Sequence, residues 1–393
     1  MTELALPVAD RIDLVRSILT PFPDVASELH RGCFEKLVER YGAATVFEYL
    51  QRRNIVNAAL VSHEWHPAVR DEDGPFWLFR QAALAIRELH RAEFLRLAEA
   101  FSTHNVPLLA YKGLALDLLI GNLDAPSFSG DIDALVHREH LAEARKIVEF
   151  LGYEVDLRIE SGRVRRMPTR ISRMTEESVY SFGQCQPYDR LVPAPALEPL
   201  AERVQTLMPD DFCTLSGRLH FKISIDLHYT LNLLTDDIGT RVKPAEGVWW
   251  ENTQQVLVGD AYLSTLSDQV MSWALLHRLY VDTMLLQDTS IKTLCHIKLL
   301  SKHGRFDVPH IREFARRYPY LAPSLHYALR ATDKLCELGV GALEDPVAIR
   351  AITAPLMNVG DCLPALLDFG FAFELDDIAG KDSRIDDVGV RIF

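Results

Sequence analysis

The 393-residue sequence has no Cys-x-x-Cys pair; its six cysteines, Cys33, Cys185, Cys213, Cys295, Cys336 and Cys362, are scattered. That spacing gives neither a thiolate zinc site nor a disulfide framework, so they are read as reduced thiols of a cytoplasmic protein. No uninterrupted apolar run approaches the ~20 residues that span a bilayer. The opening "MTELALPVADRIDLV" carries Glu3 and Asp10 where an export signal carries basic charge and an apolar core, so no membrane partner is expected. Positive charge is in short supply: 42 Lys and Arg stand against 55 Asp and Glu, a formal net charge of −13. Neutralising a long phosphate backbone needs the opposite balance, which argues against long nucleic acid as a partner. Fixed-period repeats and low-complexity tracts are absent too.

What is present is the composition of a globular protein, 48% hydrophobic and 25% charged, in a chain long enough for two or three domains. From Arg11 to about His104, "FEKLVERYGAATVFEYLQRR" and "FWLFRQAALAIRELHRAEFLRLAEAF" space apolar residues three and four apart, as helices do. The texture then changes. "VPLLAYKG" predicts a buried strand and a turn, "LALDLLIG" a helix, "GDIDALV" a second strand, "HREHLAEARKIVEFLGY" an amphipathic helix and "EVDLRIE" a third strand. Prolines in "DRLVPAPALEPL" predict loops or short edge strands. In "RLHFKISIDLHYTL", Leu219, Phe221, Ile223, Ile225 and Leu227 alternate with polar residues, the period of a half-buried strand. Lys222, Asp226 and His228 are thus expected on one face. Helical spacing returns from Ser264. These patterns divide the chain into a helical region (1–104), a mixed α/β core (105–258) and a C-terminal helical domain (259–393).

Two aspartates, Asp131 and Asp133, sit one residue apart in an apolar stretch after Ser129-Gly130. On a strand, positions i and i+2 share a face, and two carboxylates that close repel unless a cation lies between them. Oxygen donors suit Mg²⁺ or Mn²⁺. The plainer reading makes Asp131 a turn cap and Asp133 a solvated edge residue. A Lys112-Gly113 turn just upstream and a third carboxylate, Asp226, on a later strand favour the metal.

With these motifs in place, the segment "LLAYKGLALDLL … SGDIDALV … LGYEV … SIDLHYTL … LLHRLYV" resembles the nucleotidyltransferase superfamily typified by DNA polymerase β, and within it a bacterial group in which Lys-Gly stands for the usual Gly-Ser. The resemblance implies an α+β fold: a polymerase β-like core, a mixed sheet with helices, flanked by N-terminal and C-terminal helical regions. It also implies metal-dependent transfer of an NMP, AMP by default, from an NTP to a small-molecule or peptide acceptor, with pyrophosphate released. Asp131, Asp133 and Asp226 would then hold Mg²⁺ or Mn²⁺, with Asp226 alternatively accepting the proton of the attacking group. Lys112, Gly113 and Gly130 would lie against the nucleotide, ATP by default. Lys222 and His228 are further candidates for phosphate contact, although His228 also reads as a hydrogen-bonded structural histidine.

An arginine-rich segment holds Arg158, Arg163, Arg165, Arg166, Arg170 and Arg173. Arg163, Arg165 and Arg166 are the better candidates to clamp a triphosphate or anionic acceptor, against the alternative of a solvated hairpin that balances nearby acids. Leu114 replaces the second small residue of the superfamily turn, and "APSFSG" lacks the arginine often found before the first Asp. Those two features support a competing reading, a nucleotide-binding or partner-binding module of the same fold without turnover. A phosphodiester hydrolase using the same metal residues is a third.

Overall fold

The structure, a computed structural model, describes residues 6–120, 129–167, 184–231, 247–258, 261–282, 290–318 and 321–340. Arg170, Arg173, Cys362 and the acidic tail from Glu374 lie outside the described residues. In chain order the first elements are α1 (Val8–Leu19), α2 (Glu28–Tyr41), α3 (Ala43–Arg52), α4 (Val56–Ser62), α5 (Pro67–Arg70) and α6 (Pro75–Thr103). There follow β1 (Leu108–Ala110), α7 (Lys112–Ile120), β2 (Ile132–Val136), α8 (Leu141–Phe150), β3 (Leu157–Glu160), β4 (Arg163–Arg166) and β5 (Tyr188–Pro193). Next come α9 (Ala201–Leu207), β6 (Phe212–Leu215), β7 (Arg218–His228), α10 (Gly247–Trp250), β8 (Thr253–Val258) and β9 (Ala261–Leu266). The described helices end with α11 (Asp268–Tyr280), α12 (Lys292–Lys302), α13 (Val308–Arg317) and α14 (Ala322–Cys336). None is long and apolar enough to cross a membrane.

The fold is α+β: a mixed sheet, with helical regions before and after it in the sequence. Contacts divide it into two compact units: Met1–Phe76, Thr235–Val248 and Asp268–Phe393 form one, Trp77–Leu234 and Trp249–Ser267 the other. The first unit is helical, its core built from residues such as Leu14, Val15, Ile18, Leu294 and Leu325, with Trp273 stacked on Phe314 at 4.5 Å. In the second unit a seven-stranded sheet runs β5-β7-β2-β1-β9-β8, with β6 also paired to β7.

Strand β7 organises this sheet. Its buried and part-exposed residues alternate as the sequence pattern requires, with Leu219, Phe221, Ile223, Ile225 and Leu227 fully buried. Each such side chain contributes about 1.5–3 kcal/mol of hydrophobic stabilisation. Antiparallel β5 covers one edge of β7 from His220 to Ile225; β6 and then parallel β2 cover the other. β2, lying between β7 and β1, is buried at every residue, as a central strand must be.

Two elements differ from the sequence expectation. The third strand, β3, pairs with β4 in a separate two-stranded sheet. β9 continues to Leu266, past Ser264 where helical spacing was expected to resume, and lies parallel to β1 through Ala110 and Thr265. The Thr265 hydroxyl donates to the Ala110 carbonyl at 2.9 Å.

Candidate active site

The register of β2 on β7 sets Asp133 opposite Asp226 and Leu135 opposite His228. In parallel strands such partners share a face, so Asp133, Asp226 and His228 converge: their ligand atoms all lie within 4.8 Å of one another. Asp133 and His228 are each 1% exposed, whereas Asp226 is partly open to solvent. His228 Nε2 is 2.9 Å from Asp133 Oδ1. Lys112 completes the group. Its Nζ donates to Asp133 Oδ1 at 2.5 Å, stands 3.3 Å from His228 Nε2 and lies 5.3 Å from the centre of the Tyr111 ring.

Local backbone geometry puts Lys112 there. Tyr111 N–H donates to the Asp133 carbonyl at 3.0 Å, tying the end of β1 to β2. Lys112 then turns the chain into α7 at φ +50°, a left-handed conformation that costs a non-glycine residue about 1–2 kcal/mol. Gly113 follows because nothing larger fits: a Cβ there would lie 2.7 Å from Ser129 Cβ and 2.9 Å from its Oγ. The Lys-Gly pair thus lets the segment leading to Asp131 pass against the first turn of α7.

Within 51–337 the chain matches the family described as uncharacterised nucleotidyltransferase. The chain belongs to this family. No curated protein and no solved structure matches it. Membership in a nucleotidyltransferase family carries a class of chemistry, NMP transfer, without naming the acceptor, the base or the metal.

Other residues singled out in the sequence stand apart from the Asp-Asp-His group. β2 begins at Ile132, so Asp131 sits in the bend before it and is not part of that group; Ser129 Oγ lies 2.5 Å from the Asp131 carbonyl and 3.1 Å from its Oδ1. Around Gly130 a Cβ would meet nothing within 4 Å. Arg163, Arg165 and Arg166 are exposed on β4; Arg166 bonds Glu154 and reaches Asp156 at 3.3 Å, and Arg165 lies 3.7 Å from Glu160.

Arg158, by contrast, is drawn inward. It donates to Asp189 Oδ2 at 2.5 Å, and Ser224, two residues before Asp226, donates to Asp189 Oδ1. Burial pushes the Asp189 carboxyl up, against the opposing pull of Ser224, Lys222 and Arg158. Lys222 opposes the same upward push on half-buried Asp211. Trp249 is buried, and Trp250 stacks on His137 at 3.7 Å. His277 and Tyr280 are core residues of the helical unit, where His277 Nδ1 pairs with Ser324 Oγ at 2.9 Å.

His90 on α6 drew no notice in the sequence. It is 1% exposed, packs on Phe221 at 5.6 Å, and neither ring nitrogen has a hydrogen-bond partner among the described residues. Burial lowers its pKa to about 4, the Asp131 charge opposing.

Proposed function

We propose that this chain is a metal-dependent nucleotidyltransferase that moves an NMP, AMP by default, from an NTP to a small-molecule or peptide acceptor and releases pyrophosphate. The observation that carries the reading is the meeting of Asp133, Asp226 and His228 within 4.8 Å at the foot of α7. Two carboxylates and one imidazole fit a small divalent cation, Mg²⁺ or Mn²⁺, and the nitrogen ligand favours Mn²⁺ of the two. When bound, such an ion supplies neutralisation of the phosphate oxygens during displacement at the α-phosphorus.

The remaining roles fall to the chain's own groups. Lys112 carries a positive charge to the triphosphate, and the first amides of α7 offer N–H donors to the same phosphates. Gly113 keeps that approach open, and Gly130 keeps the facing segment free of a side chain. Asp226, the open member of the group, either helps to hold the ion or takes the proton of the acceptor's attacking oxygen. Asp131 adds negative charge at the start of β2. Arg163, Arg165 and Arg166, exposed on their hairpin, are suited to an anionic portion of NTP or acceptor, with Lys222 on the sheet face beside Asp226. The proposal assigns the protein to the cytoplasm, where its cysteines would stay reduced.

Labelled NTPs screened against candidate acceptors, with pyrophosphate release as the signal, test the reading. Turnover that requires Mg²⁺ or Mn²⁺ is the expected result; nucleotide binding without pyrophosphate release under any metal contradicts it. That second outcome is what a binding module of the same fold would give, a reading favoured by the position of Asp131 outside the Asp-Asp-His group.

A further inference from the structure

We infer that Lys112 is a built-in counter-cation of the metal site, which the nucleotide must draw away before a divalent ion can settle, so that metal and nucleotide bind as a coupled pair. The inference rests on the metal reading above.

Lys112 Nζ touches two of the three groups that would ligate the ion: Asp133 Oδ1 at 2.5 Å and His228 Nε2 at 3.3 Å. An ion bound to Asp133 Oδ1 at about 2.0–2.2 Å would lie within about 5 Å of that ammonium. Two positive charges so close repel, and with Asp133 and His228 both buried little water is present to screen them. The contact with His228 adds a second conflict. The Nε2 edge that a metal would need is already hemmed in, by Asp133 Oδ1 at 2.9 Å and by the ammonium at 3.3 Å.

The lysine has somewhere to go. Its side chain is 12% exposed, and it is the first residue of α7, the end of a helix that favours anions. A triphosphate arriving there offers Lys112 new negative partners and brings its own affinity for the cation. Moving Nζ onto phosphate takes the ammonium away from Asp133 Oδ1 and His228 Nε2 together. By linkage, whatever the nucleotide does for the metal, the metal does for the nucleotide.

If Lys112 were only a phosphate contact, removing it would weaken nucleotide binding and leave binding of the metal alone unchanged. The inference predicts a gain instead. Free Mn²⁺ is followed by electron paramagnetic resonance during titration of the full chain: wild type, Lys112→Met, Lys112→Gln and Lys112→Arg, each with and without the α,β-methylene analogue of ATP. Both neutral variants are expected to bind Mn²⁺ alone about tenfold or more tightly than wild type, and Lys112→Arg is not. The analogue tightens Mn²⁺ binding more in wild type than in the neutral variants. Lys112→Gln, which keeps a polar end, guards against a packing fault in Lys112→Met. Equal or weaker Mn²⁺ binding by both neutral variants overturns the inference and leaves the metal reading standing. No Mn²⁺ bound by any of the four proteins, with or without the analogue, overturns the metal reading and the inference with it.

Discussion

Space and charge at single residues constrain the candidate site. Gly113 has a steric duty beside any phosphate contact, since Ser129 occupies the space its Cβ would need. Gly113→Ala is therefore expected to cost about 1–3 kcal/mol through overpacking and to displace the segment before Asp131. A denaturant melt with an activity assay checks both, and an unchanged midpoint with full turnover would count against it. His90 makes a prediction about pH. Its pKa in the folded chain is about 4, below the ordinary 6.5, so as pH falls the unfolded chain takes the proton first. Stability linked to His90 is present above pH 6.5 and lost as pH falls from there to about 4, up to about 3 kcal/mol. His90→Leu should flatten that slope and cost little at pH 7, because the imidazole nitrogens it removes have no hydrogen-bond partner among the described residues. Urea midpoints at pH 7 and pH 5 for both proteins decide it; identical slopes would show that His90 does not carry the dependence.

At the scale of elements, most of the site was legible where one strand's alternation spoke for itself. β7 places Asp226 and His228 on the face that the two-residue period demands, and both meet Asp133. The same rule applied to Asp131 and Asp133 asked too much, because β2 starts between them and the bend before it has no fixed face. His228 was legible as a face-mate of Asp226, but its approach to Asp133 depends on the parallel register of two strands far apart in sequence. The arginines show the same limit. Counting charges drew attention to Arg163, Arg165 and Arg166, while burial of Leu157 and Ile159 on either side and the carboxylate of Asp189 single out Arg158. This link spans β3, β5 and β7, so Asp189→Ala, which strands a part-buried guanidinium, should destabilise by about 3–5 kcal/mol, and Asp189→Asn by less. Chemical denaturation of the two variants measures it; equal losses would mean that charge is not what holds the elements together.

For the whole molecule, periodicity carried the mixed α/β core and the helical flanks, because it is a local property of the chain, while the α+β class came with the resemblance. Extension of the sheet by β9 was not legible: pairing Ala110 with Thr265 depends on a long-range contact that no short window records. The net charge of −13 acts at this scale as well. Mobility shifts with long duplex DNA at low salt are expected to show no retention, and retention that weakens steeply with added salt would speak for a nucleic-acid acceptor instead. The central claim is that Asp133 and Asp226 serve catalysis of nucleotidyl transfer. Its most direct test is pyrophosphate release from an NTP by wild type, Asp133→Asn and Asp226→Asn, with Mg²⁺ or Mn²⁺ and after chelation. The account predicts turnover that stops on chelation and falls by about 10²-fold or more in each variant; pyrophosphate release that survives chelation and both substitutions would contradict it.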